Sequence, residues 1–292
     1  MVVFLILAFL ALHVSGILIS LLFIKKFETV EVDGYKIHFK RTGSGSKKII
    51  LIHGMFSNLH CWDRFLKYKD PDAEYFSIDL PQMGESISKK LDAPTMQIEH
   101  LIYGFCKKLD LKNPILVGCS LGGLVAYLAS TQYPEFYKKC VVVASPFNKQ
   151  ILLLPLYKFS VLAYGLNFLV NPILVAIGHF RIAHQGFSFK QVFIILSKFR
   201  HIRHFKSSIE YTHLIARVDE SLLITTKVEN YHFIWGNKDH LVKKSNFDNF
   251  IGQNKKLDYE EIPDASHHPM ESHPKEFAFL LKKITDHGTD ID

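Results

Sequence analysis

The chain reads as an α/β protein: a mostly parallel, doubly wound sheet interrupted by a helical insertion. Three observations predict this. Short continuous apolar runs alternate with helix-like stretches along most of the 292 residues. A Gly-x-Ser-x-Gly pentapeptide joins one such run to the stretch after it. The alternation breaks off once, over a long apolar and basic segment. Alternating strand and helix patterns argue for a parallel sheet with its ligand site at the strand C-termini.

In chain order, residues 2–24 come first and carry no charged side chain, with His13, Ser15 and Ser20 as mild interruptions before Lys25-Lys26. A helix rising 1.5 Å per residue over that length spans the roughly 30 Å hydrocarbon core of a bilayer. A signal peptide is the competing reading, but no basic residue precedes the run and no small-x-small cleavage site follows it. A buried core helix is the other. With the flanking positive charges on the C-terminal side only, the positive-inside tendency leaves the remaining chain cytoplasmic.

Residues 29–39 alternate about Asp33-Gly34, a turn dipeptide, and predict a β-hairpin. The runs at 48–52, 75–79, 114–117, 140–144, 232–235 and 257–262 predict strands, several of them buried on both faces. Residues 95–109 and 122–131 read as helices between them. The layout is thus an anchor (1–26), a first core part (27–146), a helical cap (147–221) and a second core part (222–292). Pro155, Asn167, Asn171 and Pro172 break the apolar stretch within the cap, which favours short helices over a second membrane span.

Composition narrows the partners. The chain is 48% hydrophobic and 13% aromatic, with a net charge of +7. Eight basic residues and no acidic one fall between 147 and 209, so the basicity belongs to one greasy segment. That mixture suits an anionic membrane surface, and no nucleic-acid-reading motif accompanies it. Cys61, Cys106, Cys119 and Cys140 have neither C-x-x-C pairing nor zinc spacing and read as reduced, structural thiols.

The chemistry concentrates around Gly118-Cys119-Ser120-Leu121-Gly122. A serine on a tight strand-to-helix turn needs small residues two positions before and two after it, which Gly118 and Gly122 provide. The apolar run 115–117 precedes the pentapeptide and a helix-like stretch follows, the setting in which the pattern carries weight. The N–H of Leu121, at the positive end of that helix, is placed to donate to an oxyanion, and Met55 in His53-Gly54-Met55 is a second donor. His53 reads as a brace of its loop. Cys119 lies off the apex of the turn, which leaves it the weaker nucleophile candidate.

The C-terminal Ser266-His267-His268-Pro269, with Glu271 and Pro274 after it, resembles the α/β-hydrolase family. The resemblance implies His267 as general base, with His268 its rival. Ile234-Trp235-Gly236-Asn237-Lys238-Asp239 resembles the family's Gly-x-x-Asp ending and implies Asp239 as the acid; Asp264 and Asp248 are the alternatives. Asp79-Leu80-Pro81-Gln82-Met83-Gly84-Glu85-Ser86 resembles a further family turn, with Gln82 in place of a glycine. With the anchor and the apolar cap, residues 31–284 resemble the monoacylglycerol-lipase-type abhydrolase-domain proteins, which implies a membrane-anchored enzyme acting on monoacylglycerols and lysolipids through Ser120, His267 and Asp239, without metal or organic cofactor. An acyltransferase or thioesterase on the same frame, or an inactive membrane scaffold, is the alternative. The His-x-x-x-x-Asp spacing at His287 and Asp292 reads as coincidence.

Overall fold

The computed structural model describes residues 27–55, 57–89, 97–146, 230–242 and 258–286, with scattered positions at 3–11 and 206–215. β1 (Glu28–Val32) and β2 (Tyr35–Gly43) form the expected hairpin. Asp33 and Gly34 at its turn both have positive φ, 50° and 79°, as the hairpin turn of this twist requires. β3 (Lys47–Ile52), β4 (Ala73–Ile78), β5 (Ile115–Cys119), β6 (Lys139–Val143), β7 (Tyr231–Gly236) and β8 (Asp258–Ile262) complete one sheet, in the order β1-β2-β4-β3-β5-β6-β7-β8. β2 runs antiparallel to both neighbours, and every pair from β4 to β8 is parallel. β4, β5 and β6 are buried along their whole lengths, including Glu74 and Ser77 of β4 and Lys139 of β6.

Four helices are described from end to end: α1 (Ile98–Lys108), α2 (Leu121–Gln132), α3 (Pro269–Ser272) and α4 (Pro274–Asp286). α1 buries Ile98, Leu101, Ile102 and Phe105 at helical spacing, and Phe105 meets Phe39 of β2 edge-on. α4 buries Phe277, whose ring stands edge-on to Phe65 and beside Trp62. Those two rings belong to 3₁₀ turns at Leu59–Trp62 and Phe65–Tyr68, too short to leave a periodic signal in sequence. Asp70 accepts ion pairs from Lys47 on β3 and Lys282 on α4, fastening the last helix to the start of the central strand.

Among the described residues no helix is long and apolar enough to cross a membrane. The expected anchor at 2–24 and most of the expected cap at 147–221 lie outside the described residues.

Beyond the end of β4 a buried polar node holds the loops at the strand C-termini. Asp79, 1% exposed, accepts from His38 Nδ1 at 2.8 Å, from the Leu59 N–H at 2.7 Å and from the Glu85 N–H at 2.9 Å. Burial opposes its ionisation, yet the His38 bond, the neighbouring imidazoles and the Glu85 N–H outweigh this and hold the carboxyl below its ordinary range. Asp63 shows the same competition: burial raises it, but bonds from His60 and Lys40 bring it down to about 2.

A carboxylate held down in the folded state contributes stability above its unfolded value, and that contribution is lost as pH falls through the folded value. Stability should therefore decline from about pH 4 towards the value of about 2 that Asp63 keeps in the folded state. Asp79→Asn should lower stability at neutral pH by about 3 kcal/mol, because it strips one partner from a buried pair. It should also flatten the acid limb. Urea unfolding of both forms from neutral pH downward measures the two effects.

Candidate active site

Ser120 sits between the last residue of β5 and the first of α2, at φ 54° and ψ −123°, a conformation that disfavours any side chain. Hydrogen bonds hold it there. Its N–H donates to the Val143 carbonyl at 2.8 Å, and its carbonyl accepts from the Gly123 N–H at 2.9 Å and from Ser145 Oγ at 2.8 Å. The turn also needs bare backbone around it. A Cβ on Gly118 would stand 2.0 Å from the Gly122 carbonyl oxygen, and one on Gly122 would stand 2.2 Å from the Ile52 carbonyl oxygen. Strand β3, strand β5 and helix α2 thus converge on a point where no side chain fits.

Leu121 opens α2, so its N–H lies among the first-turn donors that the helix itself cannot use. Across from it is the loop after β3. A Cβ on Gly54 would come 3.1 Å from Ser120 Cβ, so Met55 follows a backbone already pressed against the serine. His53, fully buried, fixes that loop. Its Nε2 accepts from the Leu80 N–H at 3.0 Å, which leaves the proton on Nδ1 to be donated to the Gly54 carbonyl at 2.7 Å. Both ring nitrogens are occupied by backbone, which matches the bracing role expected for this residue.

Asp239 and His267 are brought together by the pairing of β7 with β8, in which Gly236 stands opposite Ile262. The two loops leave that row side by side, and a Cβ on Gly236 would lie 2.4 Å from the Ala265 and Ser266 carbonyl oxygens. Asp239 Oδ2 accepts from His267 Nδ1 at 2.8 Å, while Oδ1 accepts from the Leu241 and Val242 N–H groups at 2.9 Å each. Trp235 Nε1 donates to the Val242 carbonyl at 2.8 Å and ties down the far end of the same loop. With Nδ1 committed to the carboxylate, a neutral His267 carries its lone pair on Nε2. The His267 carbonyl accepts from Cys119 Sγ at 3.8 Å, which sets the histidine loop against the serine turn.

The rivals fall elsewhere. His268 Nδ1 lies 3.8 Å from Glu271 and turns towards that carboxylate, its ring 5.0 Å from that of His267. Asp264 is exposed and paired with Lys238 at 2.7 Å. Asp248, His287 and Asp292 lie outside the described residues. All four cysteines are buried and none is in a disulfide. Burial, with the charges of Asp239 and Glu271, pushes the Cys119 thiol well up, which withholds the thiolate a cysteine nucleophile needs. Among the described residues no cluster of His, Cys, Asp and Glu could hold a metal ion.

A family model described as the alpha/beta hydrolase fold matches residues 47–274. The chain belongs to this family. Over 103 residues it is 35% identical to the pimeloyl-[acyl-carrier protein] methyl ester esterase of Wigglesworthia glossinidia brevipalpis, covering 35% of this chain and 38% of that one. Over 116 residues it is 27% identical to an uncharacterised hydrolase of Bacillus subtilis strain 168, covering 39% and 42%. The chain therefore spans about two-fifths of the length of these curated relatives. Among solved structures it is similar to the Cif epoxide hydrolase of Acinetobacter nosocomialis, with a TM-score of 0.75 at 18% identity over 88% of each chain. At that identity the likeness concerns the fold.

What sequence reasoning missed is the second buried histidine–aspartate pair, His38 and Asp79, and the docking of the insertion. Ser207 Oγ donates to the Gln82 carbonyl at 3.1 Å and the fully buried Tyr211 to the Pro81 carbonyl at 3.2 Å. The only available signal was Gln82 where the family turn has glycine; the structure gives it a φ of 61°.

Gly118→Ala should destabilise by about 3 kcal/mol, since its neighbour is backbone and cannot yield. Gly54→Ala faces a contact of 3.1 Å and should cost about 1 kcal/mol. Urea midpoints of the two variants test this ranking.

Proposed function

We propose that the protein is a serine hydrolase of carboxylic esters, with Ser120 as nucleophile, His267 as general base and Asp239 as the acid that orients it. The observation that carries this reading is the buried Asp239–His267 bond, set by two adjacent strand ends against the turn that strains Ser120. Ser120 attacks the acyl carbonyl and its proton passes to His267 Nε2, while Asp239 holds the proton on Nδ1 and stabilises the imidazolium. The N–H groups of Met55 and Leu121 receive the oxyanion. His267 then protonates the leaving alcohol, and water, deprotonated by the same imidazole, releases the acid.

The ester is a lipid ester such as a monoacylglycerol or a lysophospholipid. The uncharged run at 2–24 anchors the chain as a single-pass protein, with the catalytic part on the cytoplasmic side. The basic and apolar composition of the insertion supports a substrate taken at a membrane surface. The esterase named among its relatives supports ester chemistry.

Membranes carrying the protein should label with a fluorophosphonate probe, and Ser120→Ala should abolish labelling. Asp239→Asn should reduce turnover by about 10⁴-fold, as loss of the orienting acid does in other triads. A panel of monoacylglycerols, lysophospholipids, short p-nitrophenyl esters and thioesters reads the substrate; turnover confined to short soluble esters would overturn the lipid assignment. Protease protection of sealed vesicles reads the side.

A further inference from the structure

One register row crosses the sheet from the entry of the chain to the serine turn. Glu28 pairs with Phe39, Phe39 with Ile78, Ile78 with Ile52, and Ile52 with Gly118. The first residue of β1 is therefore level with the residue two before Ser120. Four inter-strand steps separate them, about 19 Å. The chain enters this domain at the C-terminal end of the parallel strands, the end that carries the candidate site.

Its entry point is clamped. The Phe27 N–H donates to His38 Nε2 at 2.9 Å, and the Phe27 ring lies 5.7 Å from the His38 ring and 5.9 Å from the His60 ring. Lys40 Nζ stands 5.7 Å from the centroid of the same ring and pairs with Asp63 at 2.6 Å. His38 passes this hold to Asp79. Only Lys25 and Lys26 separate Phe27 from the end of the uncharged run at Ile24. Three fully extended steps reach about 10 Å, so the C-terminal end of that run can be no farther than this from the clamp.

Two other features share this end. The insertion leaves the sheet beyond β6, and its described residues Ser207 and Tyr211 are bonded to carbonyls just past the end of β4. Leu241, following β7 in the loop that carries Asp239, is 48% exposed.

We propose that the C-terminal end of the sheet, from the Phe27 clamp to Leu241, is a docking face for an anionic lipid bilayer, and that the ester enters the site from that surface. This deepens the lipid-ester reading and rests on it for the identity of the ligand. The occupant follows from the length and apolarity of the preceding run, from where it ends, and from the absence of acidic residues between 147 and 209.

The face can be tested apart from the chemistry. The native cysteines are buried, so a thiol-reactive fluorophore can be directed to Leu241→Cys or to Asp110→Cys, the latter in the loop before β5 at the opposite end of the sheet. With the full chain in phosphatidylcholine–phosphatidylserine vesicles containing brominated lipid, the label at 241 should be quenched at least about twofold and the label at 110 should not. Equal quenching, or quenching at 110 alone, overturns the face, as does failure of the chain to sediment with the vesicles. A flexible Gly-Ser linker of about twelve residues inserted between Lys26 and Phe27 adds roughly 19 Å of reach. It should leave fluorophosphonate labelling and p-nitrophenyl ester turnover unchanged while slowing hydrolysis of vesicle-borne monoacylglycerol at least about fivefold. Unchanged hydrolysis of the vesicle-borne ester overturns entry from that surface. Absence of Ser120-dependent labelling in the parent chain sinks the hydrolase reading, and the quenching result is independent of it.

Discussion

Gly118 and Gly122 approach so closely that a methyl group on the first would stand 2.0 Å from the carbonyl oxygen of the second. That contact fixes how near helix α2 starts to the end of β5, and with it the position of the one residue between them that must reverse the chain. Ser120 occupies a conformation costing about 1–3 kcal/mol in isolation. The cost is offset locally, because its backbone is bonded to β6 on one side and to Ser145 and the helix on the other. The side chain is thereby presented from backbone that has no freedom to retreat, as pre-organised chemistry requires.

A second line of buried polar contacts supports the opposite side of the site. It runs from Phe27 through His38 to Asp79, and through the adjacent Leu80 to His53 and the Gly54 carbonyl. Each histidine in it has both nitrogens occupied, so neither is available as a base, although each lies near the strand ends where a base would be sought. The division is clear-cut: His53 is held between two backbone groups and His38 between a backbone N–H and a carboxylate, whereas among the described residues His267 commits only Nδ1, to Asp239. Environment, and not residue type, assigns the roles.

Much of this is legible in the sequence because the central strands are buried on both faces and leave continuous apolar runs. The serine turn announces itself through the two glycines it cannot do without. Asp239 and His267 are found through local patterns that place each just past a strand, yet their bond, between residues 28 apart, depends on the β7–β8 pairing. The 3₁₀ turns at Leu59–Trp62 and Phe65–Tyr68 are too short for periodicity, and their order depends on Phe277 far along the chain. The His38–Asp79 pair is illegible for the same reason: its two members lie 41 residues apart, and nothing local to either reveals the other.

β6 and β7 are neighbours in the sheet, with Val143 opposite Ile234. The pair is parallel, so the segment between them, some ninety residues long, leaves the C-terminal end of β6 and comes back to the N-terminal end of β7. Closing a long loop costs only slowly more as it lengthens. Both ends of this segment are held by the pairing of β6 with β7. A change of length inside it therefore leaves the register of β6 on β7, and the strand ends that carry Ser120, Asp239 and His267, where they are.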